Sequence, residues 1–202
     1  NVSELQTLVD QYEDELGTYL GKLSRQNLSV HDSHTLSIVL HCIGDFERIS
    51  DHAINIMEAA QEMHNKKLTF SPKAEEELKV FCRAVQDIVE KAYAVFRDQD
   101  EKLAQKVEPL EAVVDDLNQE VKKRHIRRLR NGKCTIELGF ILSDITTSLE
   151  RVADHCSNIA VCVTQVRDDT YDTHGYLNSV KNEDSEIFRG LVLEAEEKYL
   201  LP

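Results

Sequence analysis

Two short segments of the sequence carry the same polar side chains at the same spacing. Five residues of the first segment return in the second: Glu47, Arg48, Asp51, His52 and Asn55 as Glu150, Arg151, Asp154, His155 and Asn158. Glu47 and Glu150 are 103 residues apart, so each half of the 202-residue chain holds one copy. The neighbouring apolar residues vary, from Phe46 to Leu149 for example, as core positions can when volume is roughly kept. The sequence therefore indicates an internal duplication in which polar chemistry is what the copies share.

These carboxylates fall on one flank of a predicted helix. At about 100° per residue, the apolar stripe of the helix with the first copy is centred near Phe46 and Ala53, and Glu47 and Asp51 lie roughly 100 to 180° away. Glu150 and Asp154 occupy the same flank in the second copy, and Asn55 and Asn158 continue the two lines. Both motifs are thus expected to face outward, beside the core.

The preceding helix of each half carries acids in nearly the same sector. These acids are Asp10, followed by Asp14, in the first half and Glu111 with Asp115 in the second half. If the flanks of antiparallel neighbours meet, two acidic seams form on the surface. The first seam would hold Asp10, Glu47 and Asp51, and the second seam would hold Glu111, Asp115, Glu150 and Asp154.

Clustered oxygen ligands without thiolates suit hard cations such as Fe³⁺, Mn²⁺, Mg²⁺ or Ca²⁺, with Zn²⁺ as an alternative. The asparagines are weaker ligand candidates than the acids. His52 and His155 lie nearer the apolar flank, where they could support the ligands or simply fill a helix interface. Two other interpretations stay open. The acids could form an ordinary solvated face, or the Glu-Arg pairs could tie helices together through ion pairs.

The elements that must position these residues are helices throughout, because apolar residues recur at three- and four-residue steps and no useful period-two run occurs. Six helices are predicted. In the first half, one runs from Leu5 through Leu16 to near Asn27, a second is capped by Asp32 and ends at 65–67, and a third starts at Ser71-Pro72. In the second half, a fourth runs through Val107 and Val121 to Asn131-Gly132, a fifth runs from about Thr135 to Val166, and a sixth, after a loop over 168–175, carries Ile187, Phe188, Leu191 and Ala195. Short connections make sequential helices antiparallel neighbours. The predicted fold is all-α, with two tandem three-helix bundles over repeats 1–100 and 101–202.

Composition excludes some classes of partner. The chain has 37 Asp and Glu against 24 Lys and Arg, for a net charge of −13, which disfavours binding to nucleic acid or anionic lipid. Five cysteines without a CxxC pair read as reduced thiols, which predicts a cytoplasmic location. No apolar run is long enough to span a bilayer. The start at Asn1 suggests a piece of a longer chain.

The repeated segments, Glu47 to Ile56 and Glu150 to Ile159, resemble the duplicated E/DxxxD signature of the PhoU family. That resemblance covers essentially the whole chain and implies phosphate-signalling proteins of two three-helix bundles that bind multinuclear iron or zinc clusters at their surface. The signature acids map onto Glu47, Asp51, Glu150 and Asp154. The acidic pair of the first helix in each repeat maps onto Glu111 and Asp115 in the second half but onto Gln6 and Asp10 in the first half. Because Gln6 is neutral, this implies that the first seam binds metal more weakly than the second.

A narrower resemblance covers Tyr19–Leu28, His125–Cys134 and Asp172–Tyr176. These stretches are similar to the PhoU-like domain that follows the membrane part of bacterial sodium/phosphate cotransporters. The resemblance implies a membrane transporter in the same or another chain as partner, with the domain at the inner face of the plasma membrane.

The leading hypothesis is therefore a non-enzymatic regulatory domain that binds metal ions, with phosphate or a phosphorylated partner, and modulates phosphate transport. A ferritin-type di-metal enzyme needs Glu-x-x-His on inward faces, and no Glu in the chain has His three residues later. A free-standing helical scaffold that docks a basic partner is the other alternative. Ser and Cys lack a paired base and no glycine-rich phosphate loop occurs, so no catalytic site is expected.

Overall fold

The computed structural model describes residues 1–168 and 186–202, and within these ranges it contains helices and no strand. The helices are α1 (Val2–Leu23), α2 (Val30–Lys66), α3 (Pro72–Asp98), a single-turn α4 (Glu101–Ala104), α5 (Val107–Arg130), α6 (Ile136–Asp168) and α7 (Glu186–Lys198). The all-helical class and the six long helices are thus confirmed. The predicted loop beyond Asp168 and the segment Asp172–Tyr176 lie outside the described residues.

The helix starts follow from local side chains. Ser71 caps α3, with Pro72 in the first turn, as its sequence predicts. The expectation that Asp32 caps α2 was wrong. Ser29 is the cap: its Oγ accepts from the Asp32 backbone N–H at 3.0 Å and donates to the Asp32 carboxylate at 2.7 Å. Asp32 therefore supports the cap from the third helical position, through its carboxylate and its backbone N–H.

The two longest helices, α2 and α6, form an antiparallel pair at the centre of the molecule. Their ends are joined where Lys66 Nζ contacts Glu137 Oε1 at 2.7 Å, and their middles where His155 Nδ1 contacts Asp45 Oδ1 at 2.8 Å. The helix α1 packs against α2, and α5 packs against α6. Each half of the chain thus contributes one helix to the central pair and one helix that packs against it.

The main core lies on one side of this pair. Its fully buried members come from α3, α5 and α6 and include Phe81, Ile88, Val114 and Leu142. The short connection had suggested that α3 would pack mainly against α2, but α3 packs mainly against α5 and α6 and meets α2 where Phe96 contacts Phe46 edge to face. The reason is that α2 ends beside the start of α6, so a five-residue connection delivers the chain onto the wider apolar surface there.

One buried acid fixes α3 to α5. Glu77 on α3 is fully buried, and its two carboxylate oxygens accept from Arg128 Nη1 at 2.7 Å and from Arg124 Nη1 at 3.3 Å. Because both arginines lie one turn apart on α5, they close on the carboxylate from two positions. Near the middle of α3, Asp87 accepts from Lys198 Nζ at 2.9 Å and Tyr199 Oη at 2.7 Å, which holds the end of α7.

We expect Glu77→Ala to lower the free energy of unfolding by about 3 kcal/mol, because two partly buried arginines lose their counter-charge. The matched control is Glu76→Ala, whose exposed side chain should change stability by less than about 0.5 kcal/mol. Chemical denaturation followed by circular dichroism measures both. Equal, small effects for the two variants would show that the Glu77 clamp adds no stability.

Candidate metal centre

The first seam forms where α1 meets α2. Asp10 on α1 lies beside Glu47 and Asp51 on α2, and one carboxylate oxygen from each of the three lies within 4.8 Å of the others. Glu47 and Asp51 are one turn apart on α2, so their side chains share the flank that α1 faces. All three are half-buried. The sequence left open whether the acidic flanks of the two helices meet or turn apart, and for these residues they meet.

The environment of the first seam leaves negative charge unbalanced. Burial raises the pKa of Glu47 above its ordinary value of 4.5, the charges of Asp51 and Asp10 raise it further, and Arg48 opposes them. Asp10 Oδ2 accepts from Gln6 Nε2 at 2.8 Å, whereas its buried Oδ1 has no hydrogen-bond partner among the described residues. A buried carboxylate oxygen that accepts no hydrogen bond and lies in a cluster of oxygens is suited to ligate a hard cation.

The second seam repeats this arrangement where α5 meets α6. Glu111 and Asp115 on α5 lie beside Asp154 on α6, again with one oxygen from each residue within 4.8 Å of the others. Glu111 is buried here, and its place in the first seam is taken by the neutral Gln6. Each triad thus holds three carboxylates, and two of the three positions correspond between the repeats: Asp10 with Asp115, and Asp51 with Asp154.

Not every candidate ligand joins these triads. Glu150 is half-buried on α6 but lies outside the second triad. Asn55 is exposed and lies 3.5 Å from His52 Nδ1, while Asn158 donates to Asp45 Oδ1 at 3.2 Å. Asp14, which follows Asp10 by one turn, is exposed and also lies outside the first triad.

The repeated arginines pair with acids on their own helices. Arg48 Nη1 lies 3.4 Å from Asp51 Oδ2, and its Nε lies 3.5 Å from Glu47 Oε2. Arg151 Nη1 lies 3.2 Å from Asp154 Oδ2. Both arginines are exposed and reach the acids from the solvent side. These ion pairs therefore lie within single helices and do not tie neighbouring helices together, as one alternative had suggested.

Sequence reasoning missed a network at the contact between α2 and α6. Asp45 accepts from Asn158 and contacts His155, and the His155 ring stacks on His52 with 5.7 Å between ring centroids. The two repeated histidines thus lie in the helix interface, one of the two roles left open for them. The sequence held one signal for the network: Asp45 precedes the first motif by two residues, whereas Ser148 precedes the second.

A surface pocket of about 730 Å³ opens beside the first seam, between the start of α2 and the end of α6. His34, His41 and Arg48 line it together with the acids Glu13, Asp45 and Glu47. The pocket therefore offers both donors and carboxylates next to the proposed ligands. Which sign of charge it favours depends on whether a cation is present in the seam.

The fold and the two seams define this chain as a duplicated helical domain with paired acidic sites. The PhoU domain matches residues 1–60 and 78–163, each match containing one copy of the repeated motif. The chain belongs to the PhoU domain family. None of the described helices is long and apolar enough to cross a membrane.

Comparison with individual proteins agrees with this assignment. The chain is 27% identical over 137 residues to the phosphate-specific transport system accessory protein PhoU homolog 1 of Thermotoga maritima, covering 68% of this chain but only 58% of that protein. It is 26% identical over 165 residues to a PhoU homolog from Synechocystis, covering 81% of this chain and 70% of the homolog. The crystal structure of PhoU from Pseudomonas aeruginosa shares the fold, with a TM-score of 0.77 at 24% identity over 84% of this chain and 80% of that one.

The raised pKa of Glu47 predicts the direction in which the free energy of unfolding changes with pH. A carboxyl that holds its proton more tightly when folded makes the free energy of unfolding fall as pH rises from 4.5 through the raised pKa. We therefore expect Glu47→Gln to raise the stability of chelator-treated protein at pH 7 by about 0.5 kcal/mol, and to have little effect at a pH where Glu47 is protonated. Denaturation curves at several pH values measure this.

The control for that experiment is Glu58→Gln, an exposed acid on α2 outside both seams, which should show no such pH dependence. Loss of stability in Glu47→Gln by the same amount at all pH values would contradict charge crowding in the seam.

Proposed function

We propose that this chain is a non-enzymatic, metal-binding regulatory domain of phosphate transport or phosphate signalling. The observation that carries the proposal is the pair of carboxylate triads, one at the contact between α1 and α2 and the other at the contact between α5 and α6, in which Asp10 and Asp51 correspond to Asp115 and Asp154. Solubility alone would not require the same acids, arginine, histidine and asparagine twice. The names of the two curated relatives, both accessory proteins of phosphate-specific transport, support the phosphate part.

The ligands proposed for the first seam are Asp10, Glu47 and Asp51, and those for the second are Glu111, Asp115 and Asp154. Glu150, Asn55 and Asn158 remain candidates for completing the coordination through water or a side-chain rotation. Oxygen donors of this type fit iron or zinc, which the family resemblance implies, as well as Mg²⁺, Mn²⁺ or Ca²⁺. A bound cation would neutralise the crowded carboxylates and could offer coordination positions to phosphate oxygens.

The pocket beside the first seam is the proposed place for phosphate or a phosphorylated partner. Arg48, His34 and His41 can donate to phosphate oxygens, and Arg48 already lies against two ligands of the first seam. Glu13 and Asp45 in the same wall would repel an anion. Phosphate binding there should therefore require a cation in the seam.

The proposed partner is a membrane transporter, and the proposed location is the cytoplasmic face of the plasma membrane. The similarity to the domain behind sodium/phosphate cotransporters suggests that the transporter belongs to the same polypeptide. The net charge of −13 disfavours contact with anionic lipid, so contact would be made with protein loops. A free-standing scaffold that docks a basic partner through the same acids would require no metal.

Removing one proposed ligand from each seam tests whether the seams bind metal. We expect Asp51→Asn and Asp154→Asn each to reduce the bound metal, and the double variant to hold little, with helicity nearly unchanged because both side chains are half-exposed. Elemental analysis of protein purified without a chelator or metal-affinity tag measures the stoichiometry. A chelator titration should also strip the first seam before the second, because Gln6 replaces one anionic ligand.

Asp14→Asn and Asp116→Asn are the controls, because both are exposed acids next to the seams but outside the triads. They should bind as much metal as the wild type. Unchanged metal content in the Asp51/Asp154 double variant would refute the ligand assignment. Metal-free wild-type protein that gains no metal on incubation would favour the scaffold.

Transport provides the second test. Cells that carry the full-length parent protein should change their sodium-dependent phosphate uptake when this domain is deleted, and the Asp51/Asp154 double variant should reproduce part of that change. Radiolabelled phosphate uptake across a range of phosphate concentrations measures it, with parent protein abundance as the control. Identical uptake with and without the domain would remove the regulatory role.

A further inference from the structure

Two cysteines face each other across the central helix pair. The Cys42 thiol on α2 donates a hydrogen bond to the Cys162 sulfur on α6. The antiparallel arrangement of the helices accounts for this contact, because Cys42 lies one turn before Asp45 and Cys162 lies one turn after Asn158. Since Asp45 and Asn158 are hydrogen-bonded at 3.2 Å, the next turn of the same interface brings the two sulfurs together.

The two helices are close at this level of the interface. The side chains of Asp45 and Asn158 are short, so their direct hydrogen bond requires the two backbones to approach each other. A disulfide forms without backbone movement only where two cysteine side chains point toward each other across close backbones. The contact between their sulfurs places Cys42 and Cys162 in that arrangement.

The two thiols differ in their access to solvent. Cys162 is half-buried and lines the pocket of about 730 Å³ beside the first seam, whereas Cys42 is only 2% exposed. The hydrogen bond from Cys42 lowers the pKa of Cys162 below its ordinary value, although burial and Asp45 oppose it. The same hydrogen bond, together with burial, raises the pKa of Cys42. A small reagent in the pocket therefore meets the more acidic thiol first.

We propose that Cys42 and Cys162 are a redox-active pair that a hydroperoxide oxidises to a disulfide between α2 and α6. With hydrogen peroxide, the Cys162 thiolate attacks the O–O bond, which leaves a sulfenic acid on Cys162 and releases hydroxide that is protonated to water. The Cys42 thiol then attacks that sulfur. The S–S bond forms, and the hydroxyl group leaves with the Cys42 proton as a second water. The two thiols thus supply the two electrons that reduce the peroxide.

The pair has the features that distinguish redox-sensitive thiols from structural ones. Such sites combine an accessible thiol of lowered pKa with a neighbouring cysteine that resolves the sulfenic acid. Cys156 lacks the first feature, because it is fully buried and burial raises its pKa to about 12. The Cys134 sulfur lies 3.7 Å from His125 Nε2 near the end of α5, and Cys82 is exposed on α3. These three cysteines serve as internal controls.

The disulfide would tie together the two helices that carry the repeated motifs. More than half of the chain lies between Cys42 and Cys162, so the bond would strongly restrict the unfolded chain. It would also fix one wall of the pocket. Because the reaction requires neither metal in the seams nor phosphate in the pocket, it can be tested independently of the proposed function.

Mass spectrometry of the purified, fully reduced chain after treatment with equimolar hydrogen peroxide tests the proposal. The intact protein should lose the mass of two hydrogen atoms, and peptide mapping should join Cys42 to Cys162. The number of free thiols should fall by two from five, and dithiothreitol should restore all five. The oxidised protein should unfold at a higher denaturant concentration than the reduced protein.

Single variants separate the two roles. Cys162→Ala should slow the loss of thiols at least about tenfold, because the accessible thiolate is removed. Cys42→Ala should still react but should stop at a sulfenic acid on Cys162, which dimedone traps. Cys82→Ser is the matched control, because Cys82 is an exposed thiol outside this interface, and it should form the disulfide as the wild type does. Circular dichroism checks that each variant is folded.

Three results would overturn the proposal. The first is oxidised wild-type protein without a Cys42–Cys162 linkage. The second is a linkage that joins two chains or that involves Cys82 or Cys134 instead. The third is an equal rate of thiol loss in the wild type and Cys162→Ala, a comparison that remains decisive if the buried Cys42 position does not tolerate alanine.

Discussion

The antiparallel contact between α2 and α6 is the constraint on which the rest of this structure depends. Each of these helices carries one copy of the repeated motif, and their pairing stacks His52 on His155 and joins Asp45 to both His155 and Asn158. With the motifs held back to back, the acids of each copy turn to the opposite side, where α1 and α5 bring their own carboxylates. The two seams are therefore positioned by a single central interface.

The seams carry a cost that the surrounding structure must offset. Three carboxylates within 4.8 Å repel one another, and partial burial adds to that repulsion by removing water from the charges. Arg48 and Arg151 relieve part of it from the solvent side. The packed core of α3, α5 and α6 supplies the stability that lets the helix flanks stay in contact. A cation at each seam would convert this repulsion into cross-links between neighbouring helices.

The two halves are alike in motif but differ in packing. The face of α5 that contains Leu110 and Leu117 is buried, whereas the matching face of α1, with Leu5 and Tyr12, is exposed. The difference arises because α3 leaves its own half and packs on α5 and α6, held there by Glu77 and its two arginines. A duplicated sequence has thus produced an unequal molecule, in which α5 is largely buried and α1 has no buried residue.

Much of the secondary structure and the chemistry of the helix faces could be predicted from the sequence alone. Apolar periodicity predicted the helices, Ser71-Pro72 and Asn131-Gly132 predicted two of their ends, and the repeat of Glu47 and Asp51 as Glu150 and Asp154 predicted two acidic flanks. These features are local, since they depend on residues within a few turns of one another. The position of the cap on α2 was misjudged because Ser29 and Asp32 are both good caps, and the competition between them is decided by backbone geometry.

Only the tertiary structure decided which flanks meet and which helices become neighbours. Angles on a helical wheel placed Asp10 and Glu47 on matching flanks, but whether those flanks met or turned apart depended on how the helices rotate against each other. The same rotation left Glu150 outside its triad and brought Asp45 to His155. The place of α3 depended on where α2 ends relative to α6, a separation of about 70 residues in sequence. By itself the sequence determined the helices and the chemistry on their faces, because both are local. The packing that assembles those faces into sites was decided by contacts between residues far apart in the chain.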